Sequence, residues 1–479
     1  MKDRTFSRTK IVCTIGPASQ SLEVLKRLVR AGMDVVRLNF SHGTRSDHAK
    51  TLEHLRIAAT FTGEPVTILQ DLSGPKMRVG SLATPSVELK PNSLIRITTD
   101  AVNGTAERIS TTYRDLPKDV KHHDRILLDD GKLQLRVERV EKNDVVCKIV
   151  VGGTLLPRKG INLPGVAVSA PSMTEKDKED LLFGLENDID YVALSFVRTS
   201  DDIKHLREFI IRHVKKGKKV PIVAKIEKPE AVSNIDAILA ETDCVMVARG
   251  DMGVELPTEQ VPILQKMIVR KCNELGKPVI IATQMLESMI ESPTPTRAEA
   301  SDVANAVFDG ADAVMLSAET SIGKYPVEAV EVMDRIVRTA EDEVAAEQYD
   351  LWMNRAHHLN AYDALSHAAC LLAKQINAST IVALTHSGST AASVAKFRPK
   401  ARIIAVTDRE KIMRRLNLIW GVRGVIVEDL KKDTDVAFKM VRDRLLKEGY
   451  IRRGDNIVTM AGIPLFEGHP TNTIKVDTA

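Results

Sequence analysis

Aromatic side chains are scarce in this 479-residue chain, at 4% of positions, which leaves little material for platforms on which single-stranded nucleic acid stacks. Cysteine is rare as well. The five present, Cys13, Cys147, Cys244, Cys272 and Cys370, are odd in number, far apart and without any Cys-x-x-Cys spacing. No disulfide framework is expected from them; they read as buried thiols in a reducing compartment. Charge of one sign is also lacking, because a net charge of +4 is dispersed along the whole length, and this argues against a nucleic-acid stripe or a basic membrane patch. No apolar run approaches membrane-spanning length, and the polar start MKDRTFSRTK has no signal-peptide core. The expected address is the cytoplasm, with no membrane and no nucleic-acid partner.

What is present is ordinary globular material, 43% hydrophobic and 28% charged, in a chain long enough for two or three domains. Short apolar runs at 10–15, 35–40, 66–72, 191–196, 222–226, 244–248, 279–283 and 313–316 alternate with stretches of helical periodicity. Eight such strands is the count of a (β/α)₈ TIM barrel. A doubly wound open sheet would carry a glycine fingerprint that is missing. Residues 73–169 have a different texture, with the strand pair 133–140 and 144–151 and no helical period, and predict a small all-β lid domain inserted after the third barrel strand. From residue 342 onward a further open α/β sheet is expected. The predicted division is therefore 1–72 and 170–341 for the barrel, 73–169 for the lid and 342–479 for the last domain.

The chemistry gathers in 223–253, VAKIEKPEAVSNIDAILAETDCVMVARGDMG, which predicts two barrel strands joined by one helix. Each strand ends in charge: Lys225 and Glu227 on the first, Arg249 and Asp251 on the second, with Gly250 and Gly253 allowing close backbone approach. Ligands sit at the carboxyl ends of barrel strands, so a lysine and two carboxylates there suit a divalent metal beside a phosphate or carboxylate; the bland alternative is an ion pair capping the rim. Arg37, Asn39, Ser41 and His42, then Asp71, Lys76 and Arg78, follow the second and third strands and offer phosphate forks and hard oxygen ligands. Thr283 and Ser317 follow the last two strands, where a hydroxyl either relays a proton or caps a helix. Backbone N–H groups near Gly250 and Asp251 face an anion if a helix starts there. In the last domain Thr385, Ser387, Gly388, Ser389 and Thr390 lie between a strand and a helix, as a phosphate nest without a Walker lysine or simply as a capped helix.

Taken together, KIVCTIGPAS, VVRLNFSHG, GPKMRVG, KGINLPG, ALSFVR, KIEKPEA, VARGDMGVELP, ATQMLESM and LSAETSIGKYP make the chain resemble the pyruvate kinase family over nearly its whole length. The resemblance implies phosphoryl transfer between phosphoenolpyruvate and ADP, giving pyruvate and ATP, in a homotetramer with a carboxy-terminal regulatory domain. It implies Glu227 and Asp251 as ligands of Mg2+ or Mn2+, with Arg37 and Lys225 around the moving phosphoryl group and Ser195 supporting Lys225. The Gly250 and Asp251 amides with Thr283 would hold the substrate carboxylate, Thr283 with Ser317 would relay a proton, and Asn39, His42, Arg78 and Lys159 would contact the nucleotide.

Two departures from the family pattern carry expectations of their own. Lys76 stands where potassium-dependent members have glutamate, with Leu72 and Ser73 in place of threonine and lysine, so K+ is expected to be dispensable and Asn39, Ser41, Asp71 and Leu72 to remain as the remnant of its site. The closing stretch AGIPLFEGHPTNTIKV lacks the tryptophan and arginine of members responsive to fructose bisphosphate, so the effector expected at 385–390 is a sugar monophosphate or AMP. A metal-dependent barrel lyase acting on pyruvate enolate, or a phosphate sensor built on a decayed enzyme, are the competing readings.

Overall fold

The computed structural model describes residues 7–479 apart from 216–218, 345, 355–359, 429, 431–432 and 466–468. Eight parallel strands close into a barrel: β1 Lys10–Thr14, β2 Val35–Asn39, β3 Thr67–Asp71, β4 Tyr191–Leu194, β5 Ile222–Ile226, β6 Cys244–Ala248, β7 Val279–Ala282 and β8 Ala313–Leu316. Closure is made by β1 pairing with β8, Lys10 beside Ala313. Every strand is buried along most of its length, as expected when helices cover the outside and side chains fill the inside. Helix starts follow sequence signals. Thr44, Thr174 and Thr296 each close a capping box with the acid three residues on, Asp47, Asp177 and Glu299.

Between β3 and β4 the chain leaves the barrel to build a separate β domain with its own core, including Ile95, Ile97, Val137, Cys147 and Ile149. Its main sheet has six strands, led by the long hairpin Leu133–Glu141 and Asp144–Val151. The all-β expectation needs one amendment: Leu116–Asp119 is a short helix, opened by Asp115 and Pro117.

The last domain is a five-stranded sheet, β9 Thr380–Leu384, β10 Arg402–Thr407, β11 Val422–Ile426, β12 Asn456–Ala461 and β13 Thr473–Thr478, in the order β11-β10-β9-β12-β13 with only β13 antiparallel. The third strand begins three residues earlier than its apolar tail suggests, because Arg423 and Gly424 are ladder residues too. A helix not foreseen from the sequence, Ala346–Met353, precedes it and buries Trp352 against Trp420. The domain docks on the amino ends of the barrel strands. Leu418 completes the barrel-interior cluster, and Arg398, only 3% exposed, donates to Asn273 Oδ1 at 2.9 Å, Gly310 O at 3.0 Å and Asp312 Oδ2 at 2.9 Å.

The link between β5 and β6 is two helices rather than one, Pro229–Ser233 and Ile235–Glu241. Asn234 breaks the ladder between them, and its Nδ2 donates to Arg198 O at 3.0 Å, a tether that a continuous helix would not make. All five cysteines are free and buried, as read from the sequence. Among the described residues no helix is long and apolar enough to cross a membrane.

Candidate active site

Strand alternation decides which side chains reach the barrel mouth. Val35, Leu69, Ala193 and Val223 point into the barrel interior, while Ile68, Leu194, Ile222 and Ala224 pack outward against helices. Two residues on, the next inward positions toward the carboxyl ends are Arg37, Asp71, Ser195 and Lys225. These four meet. Lys225 Nζ donates to Ser195 Oγ at 2.8 Å and pairs with Glu227 Oε1 at 2.8 Å and Asp71 Oδ1 at 3.5 Å. Ser195 Oγ donates to the Leu72 carbonyl at 2.9 Å, which turns its lone pairs toward the ammonium. Asp71 Oδ2 receives Arg37 Nε and Nη2, both at 2.7 Å, and Arg37 Nη1 donates to Thr14 Oγ1 at 3.0 Å.

The cluster is a buried charge network, so each member depends on the others. Burial works against the charge of Lys225, but Asp71 and Glu227 outweigh it, and its pKa lies above the ordinary lysine range. Asp71 is penalised by burial and rescued by Lys225 and Arg37, ending below the ordinary carboxylate range. Glu227 differs: burial pushes it up, Lys225 opposes this, and repulsion from Asp251 adds to it. Removing one partner from such a network typically costs about 3–5 kcal/mol through the charge left behind.

Glu227 and Asp251 therefore form an electrostatically strained acid pair. Glu227 is buried and its second oxygen accepts the Phe196 N–H at 2.9 Å, whereas Asp251 is exposed in the first turn of the helix Arg249–Glu255. That helix starts directly after β6, so Gly250 and Asp251 do lie at a helix start. Among the described residues no group of three or more His, Cys, Asp or Glu could enclose a metal. Two carboxylates that repel each other at an open mouth fit a small hard cation that takes its remaining ligands from water and substrate, the usual habit of Mg2+.

On the neighbouring strand ends, Thr283 is off the inward parity of β7, where Ile280 and Ala282 fill the interior. It reaches the site because Thr283 and Gln284 both adopt left-handed backbone, at φ 70° and 55°. A β-branched residue there is costly, on the order of 1–3 kcal/mol. Arg249 braces the turn: its Nη2 donates to Thr283 O at 2.8 Å while Nη1 pairs with Asp302 Oδ2 at 2.7 Å. Thr283 Oγ1 accepts the Gly250 N–H at 2.7 Å, so one of the two amides expected to face an anion is already in use. Ser317, inward after Met315, has a buried Oγ without a hydrogen-bond partner among the described residues, and its N–H donates to Glu319 Oε2 at 2.7 Å.

The remaining expected residues lie on the lid side of the mouth. His42 is lowered from its ordinary pKa by partial burial and by Lys76, Arg78 and Arg37, and so belongs to the same basic rim. Lys159 is carried by the lid, whose Gly160 bridges to Arg78, and its ammonium pairs with Asp129 at 2.8 Å. The Lys76 ammonium, turned toward the site, is lowered by desolvation and by Lys225, against the pull of Asp251 and Asp71. Asn39 Oδ1 accepts Ser41 N at 3.1 Å and Ser41 Oγ donates to Ser73 Oγ at 3.3 Å. Those oxygens are thus satisfied from within the chain.

Comparison with known proteins decides the class. The pyruvate kinase barrel domain matches residues 6–330 and the pyruvate kinase alpha/beta domain residues 363–477. Curated relatives include pyruvate kinase of Geobacillus stearothermophilus, 47% identical over 98% of this chain and 80% of that protein. Pyruvate kinase of Clostridium acetobutylicum is 43% identical over 98% and 99%. A crystal structure of a Cryptosporidium parvum pyruvate kinase superposes with a TM-score of 0.93 at 37% identity, covering 98% of this chain and 96% of that one. The chain belongs to the pyruvate kinase family. It is accordingly a phosphotransferase.

Beyond the residues singled out in the sequence, the structure adds Thr14 and Phe196 as supports of the site, and it gives Arg249, already marked by its charge, the task of bracing the Thr283 turn. Thr14 could have been found by the rule that found Arg37, since it sits at the inward parity at the end of β1. Phe196, at φ 57°, carries no sequence signal of its own. Far from the mouth, Thr385, Ser387, Ser389 and Thr390 line a cavity of about 340 Å³ with Gly462, Leu465, His469 and Thr471. Within the loop 385–390 Gly388 N donates to Thr385 Oγ1 at 2.9 Å, and Ser387 Oγ and Ser389 Oγ lie 3.0 Å apart. Part of the closing stretch, 466–468, lies outside the described residues.

Proposed function

We propose that this protein transfers the phosphoryl group of phosphoenolpyruvate to ADP, giving ATP and pyruvate, with Lys225 as the principal charge at the moving phosphoryl group. The observation that carries this is the Lys225 ammonium, held charged at the barrel mouth by Asp71, Glu227 and Ser195 beside the Arg37 guanidinium. In phosphoryl transfer the charge spreads over the equatorial oxygens, and preorganised cations stabilise it without having to reorient. Glu227 and Asp251 would hold a divalent cation, Mg2+ or Mn2+, which would supply charge neutralisation for the anionic substrate. The substrate carboxylate takes over the Gly250 N–H and Thr283 Oγ1, and it approaches the Asp251 amide as well.

After transfer, the enolate carbon needs a proton. Thr283 and Ser317 relay it; the buried Ser317 hydroxyl, without a hydrogen-bond partner among the described residues, supports this role. Asn39, His42, Arg78 and, from the lid, Lys159 contact the nucleotide, Lys159 exchanging Asp129 for a phosphate oxygen. Lys76 supplies the positive charge that a bound potassium ion would bring, so K+ is dispensable.

The first experiment is ATP formation from phosphoenolpyruvate and ADP with Mg2+, in potassium and in a bulky organic cation at equal ionic strength. Full turnover without potassium, and a fall of about three orders of magnitude or more in Lys225→Met, are expected. Turnover only with potassium overturns the role of Lys76, and no turnover in any salt overturns the whole reading.

In regulation, the hydroxyls and amides of 385–390 bind a phosphorylated effector, a sugar monophosphate or AMP, in a cytoplasmic homotetramer. Effector binding that is unchanged in Thr390→Ala would contradict this.

A further inference from the structure

Lys228 follows Glu227 directly, and Glu255 stands one helical turn beyond Asp251 on the helix Arg249–Glu255. Both are buried, at 6% and 5% exposure. They meet: Lys228 Nζ donates to Glu255 Oε1 at 2.5 Å. The same oxygen accepts Asn162 Nδ2 at 3.1 Å, from the lid strand Ile161–Asn162 that follows Lys159. Glu255 Oε2 is buried and has no hydrogen-bond partner among the described residues. The Lys228 ammonium also lies 5.8 Å from the centre of the Phe196 ring, and the Phe196 N–H is the donor that holds Glu227.

A buried ion pair adds little stability that an apolar pair of similar volume would not supply, and here one carboxylate oxygen is left unmet as well. Placement tells more. Glu227 and Asp251 repel each other, and they sit on separate connections, the stretch after β5 and the helix after β6, which that repulsion tends to spread. Opposite charges, one residue past Glu227 and one turn past Asp251, draw the same two connections together.

We infer that Lys228 and Glu255 are positioning residues that set the spacing of Glu227 and Asp251, and that Asn162 makes this spacing depend on where the lid rests. The inference deepens the catalytic reading proposed above and rests on it for the nature of the ligand, a divalent cation. Partners that orient the groups around a metal typically change its affinity by about 10–100-fold when they are removed.

Mn2+ binding to the full-length protein, followed by electron paramagnetic resonance without substrates, tests this on the wild type, Lys228→Met/Glu255→Met and Asn162→Ala. In the double variant both charges leave together, so the net charge beside the acids is unchanged, and the apolar exchange keeps the fold, as the denaturation midpoint checks. Mn2+ affinity about tenfold lower in the double variant and about threefold lower in Asn162→Ala, at unchanged midpoints, is the expected result. Wild-type affinity in the double variant overturns the positioning role, as does a wild type that binds no Mn2+ at millimolar concentration; wild-type affinity in Asn162→Ala overturns the lid's share. If the double variant does not fold, Asn162→Ala, half-buried on the lid, decides alone, and wild-type affinity there overturns the whole inference. ATP formation by the wild type is measured alongside: no ATP, with Mn2+ bound and the losses above, removes the catalytic reading and leaves the positioning role.

Discussion

Thr283 concentrates the logic of this site in one side chain. Its backbone is held left-handed by Arg249 and its hydroxyl is spent on the Gly250 amide, so strain and hydrogen bonding both point one oxygen at the mouth. Removing that oxygen frees the Gly250 donor but deletes a proton source, and general acid catalysis is typically worth about 10²–10⁴ in rate. We expect kcat to fall on the order of a hundredfold in Thr283→Ala and to recover substantially in Thr283→Ser, measured under saturating substrate. Equal losses in the two variants would mean that the methyl group, not the hydroxyl, matters. At this scale the sequence was legible wherever parity held. Arg37, Asp71 and Lys225 stand out as charged residues at the ends of apolar strands, and counting by two puts Ser195, named only through the resemblance, beside them. Thr283 was marked by its place after β7, but spacing left it between proton relay and helix cap because it breaks the count.

At the scale of elements, the short connections after the strands do the positioning. Gly74 lies in the turn after β3 with φ 66°, and a Cβ there would fall 2.7 Å from the Phe196 ring. Phe196 is the residue whose N–H holds Glu227. Gly74→Ala combines left-handed strain with overpacking, so a stability loss of about 1–3 kcal/mol by chemical denaturation is expected. A weakened divalent-metal dependence of activity should accompany it, because Glu227 loses its tether. Normal metal dependence in a destabilised variant would separate the two effects and dismiss the tether.

Element existence was plain from the sequence, but joints were not. Nothing local marks the break at Asn234, whose reason is an Arg198 carbonyl from another connection. Likewise the helix Ala346–Met353 is pinned by Trp420, which is distant in the chain.

For the whole molecule, the contact between barrel and last domain is the part least visible in the sequence, since it joins residues hundreds of positions apart. Leu418 in the barrel foot and the Arg414 pairing with Asp190 Oδ1 at 3.1 Å are its clearest pieces. Burial raises Asp190 to about 6 from 3.8, despite Arg414 and the Ile68 N–H. The folded protein thus keeps this proton up to about pH 6, while the unfolded chain releases it near 3.8. Folding holds more protons in that window, so this group's contribution to stability declines as pH rises from 3.8 to about 6 and is level above it. In Asp190→Asn that downward slope should disappear, shortening the pH dependence of the denaturation midpoint by roughly one proton's worth. An unaltered slope would show that Asp190 ionises normally.

The lid's place in the chain also bears on how the protein is made. Tyr191 of β4 pairs with Leu69 of β3, yet the entire lid is synthesised between them. At roughly 5–20 residues per second on a ribosome, β3 waits many seconds as an open edge. During that wait the lid, with a core of its own, is free to fold and draw its two stems together, shortening the loop that must close. The barrel seam between β1 and β8 comes last, so a nascent chain halted inside the lid would present two or three unguarded parallel strands, the state in which chaperones find most to do.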